Sequence, residues 1–165
     1  LIPYNVSNWY WQVGGDQTQV YSSLAMSYVP ANDPEYQAWL EAGGVTTKID
    51  STASLYDVLL AQWVPVFLQQ PLAVTSTQAP QVSGSYSITP ADQAQITGIA
   101  ASIAAGRGLP GGQSSFSFQG HPFTQQKFLD FANGVENYVY GLLSGLAQVV
   151  NTGSGALPGT PVAIP

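Results

Sequence analysis

Cysteine is absent from the 165 residues of this chain. That excludes disulfides, thiolate metal sites and thiol nucleophiles, and it leaves the chain indifferent to the redox state of its compartment. Positive charge is nearly absent as well. Lys48, Arg107 and Lys127 are the basic side chains, set against nine acidic ones and a single histidine, for a formal net charge of −6. Affinity for nucleic acid comes largely from Lys and Arg on phosphates, and anionic lipid attracts basic clusters. Three scattered cations supply neither, so no nucleic-acid partner and no membrane insertion are expected. Charged residues of both signs make up 7% of the chain, where an average globular protein has roughly 25%. No apolar run reaches the ~18 residues of a transmembrane helix. The opening "LIPYNVSNWYW" lacks the basic stretch of a signal peptide. Its bulky Leu1 is not what ordinary Met removal leaves, so a processed or longer beginning is expected.

Apolar residues make up 45% of the sequence, enough for a core in one or two small domains. The surface must then be built from Gln, Ser, Thr, Asn and Gly. Such a surface is hydrated but offers little electrostatic protection against association, which suits a protein that ends up in an assembly.

The hydrophobic pattern predicts an α+β chain of two small modules. Trp9–Val13 reads as an aromatic strand, "GGD" at Gly14–Asp16 as a turn, and Gln19–Ser23 as the returning strand of an antiparallel hairpin. A third extended piece leads to Pro30. Asp33 before Pro34 has the form of a helix cap before a first-turn proline. Tyr36, Trp39 and Leu40 share one helical face, and Gly43–Gly44 stop the helix. A second helix starts at Ser51 or Thr52, with Leu55, Val58, Leu59, Gln62 and Trp63 on one side. Pro65 is expected to kink it or to end it near Val64. These elements form an N-terminal module over 1–68.

The polar, Pro-containing stretch 69–83 reads as a linker. A strand–helix–strand–helix module follows over 84–150. Its first helix runs from the cap Thr89 and Pro90 to Gly106, burying Ile96, Ile99, Ala100 and Ile103. A flexible "GRGLPGGQSS" loop comes next, then an "SFSF" strand with Phe116 and Phe118 on one face, a "GHPF" turn, and a long helix from about Thr124 to Val149. Phe128, Phe131, Val135, Tyr138, Val139 and Leu142 make the apolar side of that helix. Residues 151–165 are expected to be extended or attached to something outside the domain.

Catalytic patterns are weak. His121 has no second His and no G-x-S-x-G beside it. The carboxylates Asp33, Glu35, Asp50, Asp57, Asp92, Asp130 and Glu136 fall at cap or helix-surface positions rather than as an acid pair. "GRGLPGG" lacks the G-K-[ST] ending of a phosphate loop. No catalytic, cofactor-binding or metal-ligating residue is assigned, no cofactor is expected, and the chain is not expected to be an enzyme. The cluster Trp9, Tyr10 and Trp11 has two readings. It fills a small core, or it provides candidate interface residues, including a stacking surface for sugars.

The stretch "QTQVYSSLAMSYVPANDPEYQAWLEAGGVTTKIDSTASLYDVL" resembles a segment common in bacteriophage tail proteins. Val20–Ser23, Tyr28–Val29, Asp33, Tyr36, Trp39, Leu40, Gly43, Thr47, Ile49 and Leu55–Leu59 carry the likeness. The chain departs from it at Gly44, where a polar residue is usual. Residues 84–146 are similar to a domain of unknown function in tail-fibre and tail-associated proteins, through Gly84, Tyr86, Gln93, Ile96, Phe116, Phe118, Phe123 and Thr124. The resemblance implies a structural tail component in the virion: a fibre, fibre-base or adaptor protein, made in the bacterial host cytoplasm. It implies other tail or baseplate proteins as partners and homo-oligomers, with trimers as the expected form. It brings no catalytic residues. A tail-fibre assembly chaperone and a receptor- or glycan-binding tail module are the alternatives.

Overall fold

A computed structural model describes residues 4–165. The chain is α+β and divides into two compact units, each discontinuous in sequence. The first holds the residues up to Phe67 together with Leu142–Leu157, and the second holds Leu68–Gly141 with Pro158–Pro165.

In the first unit, β1 (Tyr10–Val13), β2 (Gln19–Ser22), β3 (Ser27–Pro30) and β4 (Thr47–Ile49) form a sheet in the order β3-β2-β1-β4. The β1–β2 hairpin is antiparallel, with Trp11 opposite Tyr21, and it closes through Gly14 and Gly15, both at positive φ. The sheet is mixed rather than purely antiparallel, because β4 returns parallel to β1 and sets Trp11 against Thr47. A parallel partner needs a crossover, and α1 (Pro34–Glu41) provides it.

The helix α1 starts where a carboxylate can serve the free N–H groups of its first turn. Asp33 Oδ1 accepts from Glu35 N and Tyr36 N, each at 3.0 Å. Tyr36 and Trp39 face inward. Tyr10 lies 4.9 Å from Tyr36 and 5.0 Å from Trp39, and Trp9 meets Trp39 edge-on at 5.0 Å. Each such aromatic pair adds about 0.5–1.5 kcal/mol to the burial of its rings. Gly43 reverses the chain at φ +96°, and Gly44 lies flat against the Trp39 indole, where a Cβ would come within 2.3 Å of Cδ2.

The next helix is capped by Ser51 and runs as α2 (Thr52–Val58), a π turn (Leu59–Trp63) and α3 (Val64–Phe67). Pro65 therefore does not end the helix near Val64. Val64 N–H reaches back five residues to Leu59 O, and the widened turn makes room for a ring that would clash in an ordinary α-turn. Leu55, Leu59 and Trp63 are buried, while Gln62 is exposed.

In the second unit, residues 69–83 are not a linker. They hold β5 (Leu72–Ser76), the central strand of a three-stranded sheet ordered β6-β5-β9, and a 3₁₀ turn at Pro80–Val82. Leu72, Val74 and Ser76 point inward on alternate residues, and Ala79 and Val82 are buried behind them. Antiparallel β6 (Gly84–Tyr86) lies on one side of β5, and parallel β9 (Val162–Ile164) on the other. The last residues are thus a sheet strand rather than a free extension. α4 (Pro90–Ala104) begins with a reciprocal cap in which Thr89 Oγ1 accepts from Asp92 N and Asp92 accepts from Thr89 N at 3.0 Å. Ile96 and Ile103 are buried, whereas Ile99 and Ala100 are half-buried. Buried Leu109 anchors the glycine-rich loop after α4.

"GHPF" is only partly a turn. Gln119 and Gly120, both at positive φ, make the turn. His121–Thr124 is β8, paired antiparallel with β7 (Ser115–Phe118). Proline is tolerated there because a two-stranded ribbon is all edge. α5 (Gln125–Thr152) gives its first part to this unit and its last to the other. Phe118, Phe123, Phe128, Phe131 and Tyr86 pack as one cluster, with Tyr86 and Phe131 4.5 Å apart. Gly134 gives β9 its seat, since a Cβ there would come 2.9 Å from Ile164 Cγ2.

Candidate functional site

The structure places Trp9, Tyr10 and Trp11 inside the first unit, and the interface reading of these three is corrected to the core reading. Trp11 is 1% exposed, Tyr10 3% and Trp9 7%. Trp9 Nε1 donates to Thr47 Oγ1 at 2.9 Å, and Trp9 N donates to Ser23 Oγ at 2.9 Å. Neighbouring rings pack against all three, and the Trp9 indole N–H already has a partner. No stacking surface remains.

His121 is also held by packing. Its ring lies 4.8 Å from that of Tyr86, and Nδ1 is 3.4 Å from Gln81 O. Gly84 leaves the space the imidazole fills, because a Cβ there would lie 2.3 Å from His121 Cε1. Three of the carboxylates have local roles. Asp33 and Asp92 cap helices, and Asp130 pairs with Lys127 at 3.4 Å. No group of three His, Asp or Glu that could hold a metal occurs among the described residues.

Sequence reasoning missed an open groove of about 470 Å³ in the first unit. It is lined by Val13, Asp16, Gln19, Tyr28 and Thr52, and by Val150–Gly153 at the end of α5. Four separate stretches of chain meet there, and each residue taken alone reads as turn, strand surface or helix end. No local spacing could have flagged the groove.

The Asp16 carboxyl is held by its own turn. Oδ1 accepts from Thr18 N at 2.8 Å and from Thr18 Oγ1 at 2.6 Å, and Oδ2 accepts from Gln19 Nε2 at 3.1 Å. These bonds, the Thr18 hydroxyl first, hold its pKa below the usual carboxylate value, so it is ionised near neutral pH. Opposite, Tyr28 Oη donates to Val150 O at 3.1 Å, which ties β3 to the helix end. Burial, and secondarily the Asp16 charge, push the Tyr28 hydroxyl above its ordinary pKa. Gly153, at φ +72°, ends α5 beside the Tyr28 ring and returns its N–H to Val149 O at 2.9 Å.

Two further groove side chains bond locally. Asn151 Nδ2 donates to Ala147 O at 2.8 Å, and the Thr152 hydroxyl sits 2.8 Å from Gln148 O and 2.7 Å from Ser154 O. The Asp16 carboxylate gives the groove its charge, and the N-terminal end of α2 reaches it at Thr52. The last carbonyls of α5 add the negative end of a helix dipole.

Comparison with family models, with curated proteins and with solved structures finds no match to this chain. No helix among the described residues is long and apolar enough to cross a membrane.

Proposed function

We propose that this chain is a structural component of a bacteriophage tail, a fibre, fibre-base or adaptor protein that works by protein–protein assembly in the virion and not by catalysis. The observation that carries the reading is its surface. Three basic and nine acidic side chains serve 165 residues. A weakly charged polar surface gives little electrostatic protection against association. The tail-protein resemblance supports the same reading. Asp33, Tyr36, Trp39 and Gly43 cap, pack and terminate α1 on the hairpin, which is architecture a structural part requires.

The partners on this reading are other tail or baseplate proteins and further copies of the chain, with a trimer as the expected form. Mass spectrometry of gradient-purified particles, with copy number taken against the major tail proteins, tests it. A fixed multiple of three or six is the expected result. Absence from particles, with abundant protein in the lysate, would overturn it in favour of an assembly factor that leaves before maturation.

A further inference from the structure

A strand at the rim of a sheet offers unpaired N–H and C=O groups to any second strand, and proteins blunt such rims with proline, lysine or a covering side chain. Most rims of this fold are blunted in one of these ways. β3 ends in Pro30, β4 carries Lys48, and β9 is flanked by Pro161 and Pro165. Just past β6, the Gln119 carboxamide takes both the N–H and the C=O of Ser87, at 2.8 and 3.1 Å. In the β7–β8 ribbon, β8 carries Pro122. β7 is different. It has no proline and no charged residue within it or in the two residues on either side.

The register shows which β7 groups are free. Opposite residues in an antiparallel pair alternate between those that exchange N–H···O bonds and those that do not. Ser117 lies opposite Pro122, which has no N–H, so theirs is a non-bonded pair. The bonded pairs are then Phe116–Phe123 and Phe118–His121, the latter closing the tight Gln119-Gly120 turn. Ser115 and Ser117 therefore aim their backbone groups away from β8, and no hydrogen bond to those groups occurs among the described residues. Their side chains are exposed. Phe116 between them is only half-buried, while Phe118, Phe123 and Phe128 of the same aromatic cluster are 3%, 0% and 0% exposed. The open backbone edge and the uncovered ring lie on one strand.

The occupant that fits this edge is the strand itself. About a two-fold axis at Phe116, Ser115 of one copy would exchange backbone bonds with Ser117 of the other, and the reverse. The two Phe116 rings would meet at the axis in a non-bonded pair, where side chains approach most closely. Serine then faces serine, phenylalanine faces phenylalanine, and no like charges oppose. We propose that the outer edge of β7 is a docking surface for β7 of a second copy, which joins two ribbons into one sheet in the order β8-β7-β7-β8 by strand addition. The contact closes on two copies. It can link two trimers but cannot make one, so it goes beyond the assembly reading and does not rest on it.

Sedimentation equilibrium of the full chain between about 10 µM and 1 mM tests the proposal. A reversible dimer with Kd on the order of 100 µM is expected, in keeping with a short edge and a single aromatic anchor. Ser117→Pro deletes an outward N–H and leaves the ladder to β8 intact. It should weaken the dimer at least about tenfold, because the two-fold loses that bond on both sides. Ser117→Ala keeps the backbone and should stay within about twofold of the parent. Circular dichroism checks that both variants fold. The chain has no cysteine of its own, which allows a second test without proline. Ser115→Cys and Ser117→Cys chains, mixed and oxidised, should form the mixed disulfide in preference to either like pair, because only the mixed pair is directly opposed, with Cα atoms about 5.5 Å apart. Three outcomes would overturn the proposal: a monomer throughout the concentration range, a dimer that a folded Ser117→Pro chain retains, or disulfides with no preference for the mixed pair. None of these bears on tail membership, which the composition of purified particles decides.

Discussion

Replacing Gly44 with alanine tests the packing on which the first unit rests. The added Cβ would lie 2.3 Å from Trp39 Cδ2 and 2.5 Å from Cε2 and Cε3, inside any distance that real Cβ atoms show. To reach ordinary contact at 3.4 Å the indole must retreat by about 1 Å. It has little room to do so, with Trp9 and Tyr10 each 5.0 Å from its ring. Overpacking of this kind costs about 1–3 kcal/mol. Urea unfolding followed by tryptophan fluorescence should show a lower midpoint at unchanged slope. Gly43→Ala is the control of different cause. No atom lies within 4 Å of its Cβ, but its φ is +96°, and a left-handed alanine costs about 1–2 kcal/mol through the backbone. On a Trp39→Leu background the Gly44→Ala penalty should shrink while the Gly43→Ala penalty persists, because only the first couples to the indole. A Gly44→Ala protein within about 0.5 kcal/mol of the parent would refute the argument.

Other outcomes follow from the same geometry. Asp33→Ala should cost about 1 kcal/mol in urea unfolding through loss of the α1 cap. Asp92, held below its ordinary pKa by Ser87 and Thr89, stabilises the fold above the unfolded carboxylate pKa of about 3.9, and that contribution fades as pH falls through the lower folded value. Asp92→Asn should therefore flatten the fall in urea midpoint between about pH 4 and pH 2. Tyr86 is pushed up to about 12 by burial and gives its hydroxyl to Val82 O at 2.5 Å. Tyr86→Phe should cost about 1–3 kcal/mol by leaving that carbonyl unpaired, and it should remove a late-ionising phenol from the absorbance titration. Gly134→Val would drive a branched side chain into Ile164 and should lower the melting temperature, read by circular dichroism.

The sequence showed what is local. Asp33-Pro34 and Thr89-Pro90 carry their caps within three residues, and Gly14–Gly15 announce the hairpin. It hid what is distant. The alternation of β5 lies in the five residues "LAVTS" among prolines and threonines, which compositionally resemble a connector. β9 becomes a strand only because β5 offers it an edge, and β4 pairs with β1 across the whole of α1. The aromatic trio was open to two readings because strand alternation does not say whether both sheet faces are covered. α1 covers Trp9 and Tyr10, and Tyr21 lies beside Trp11 at 6.2 Å. The groove has no sequence signature, since its residues converge only after the end of α5 reaches Tyr28.

The discontinuity of both units has a consequence for synthesis. The first 67 residues leave the ribosome well before Leu142–Leu157, which complete their unit. At about 5–20 residues per second the intervening stretch takes roughly 4 to 15 seconds to translate. During that interval the nascent sheet lacks the helix end that receives the Tyr28 hydroxyl, and β5 waits longer still for its parallel neighbour. The first unit therefore cannot close until the end of α5 has been made. Fragments cut near residue 68 or 84 would each be born incomplete, so neither half is a sound unit for separate expression.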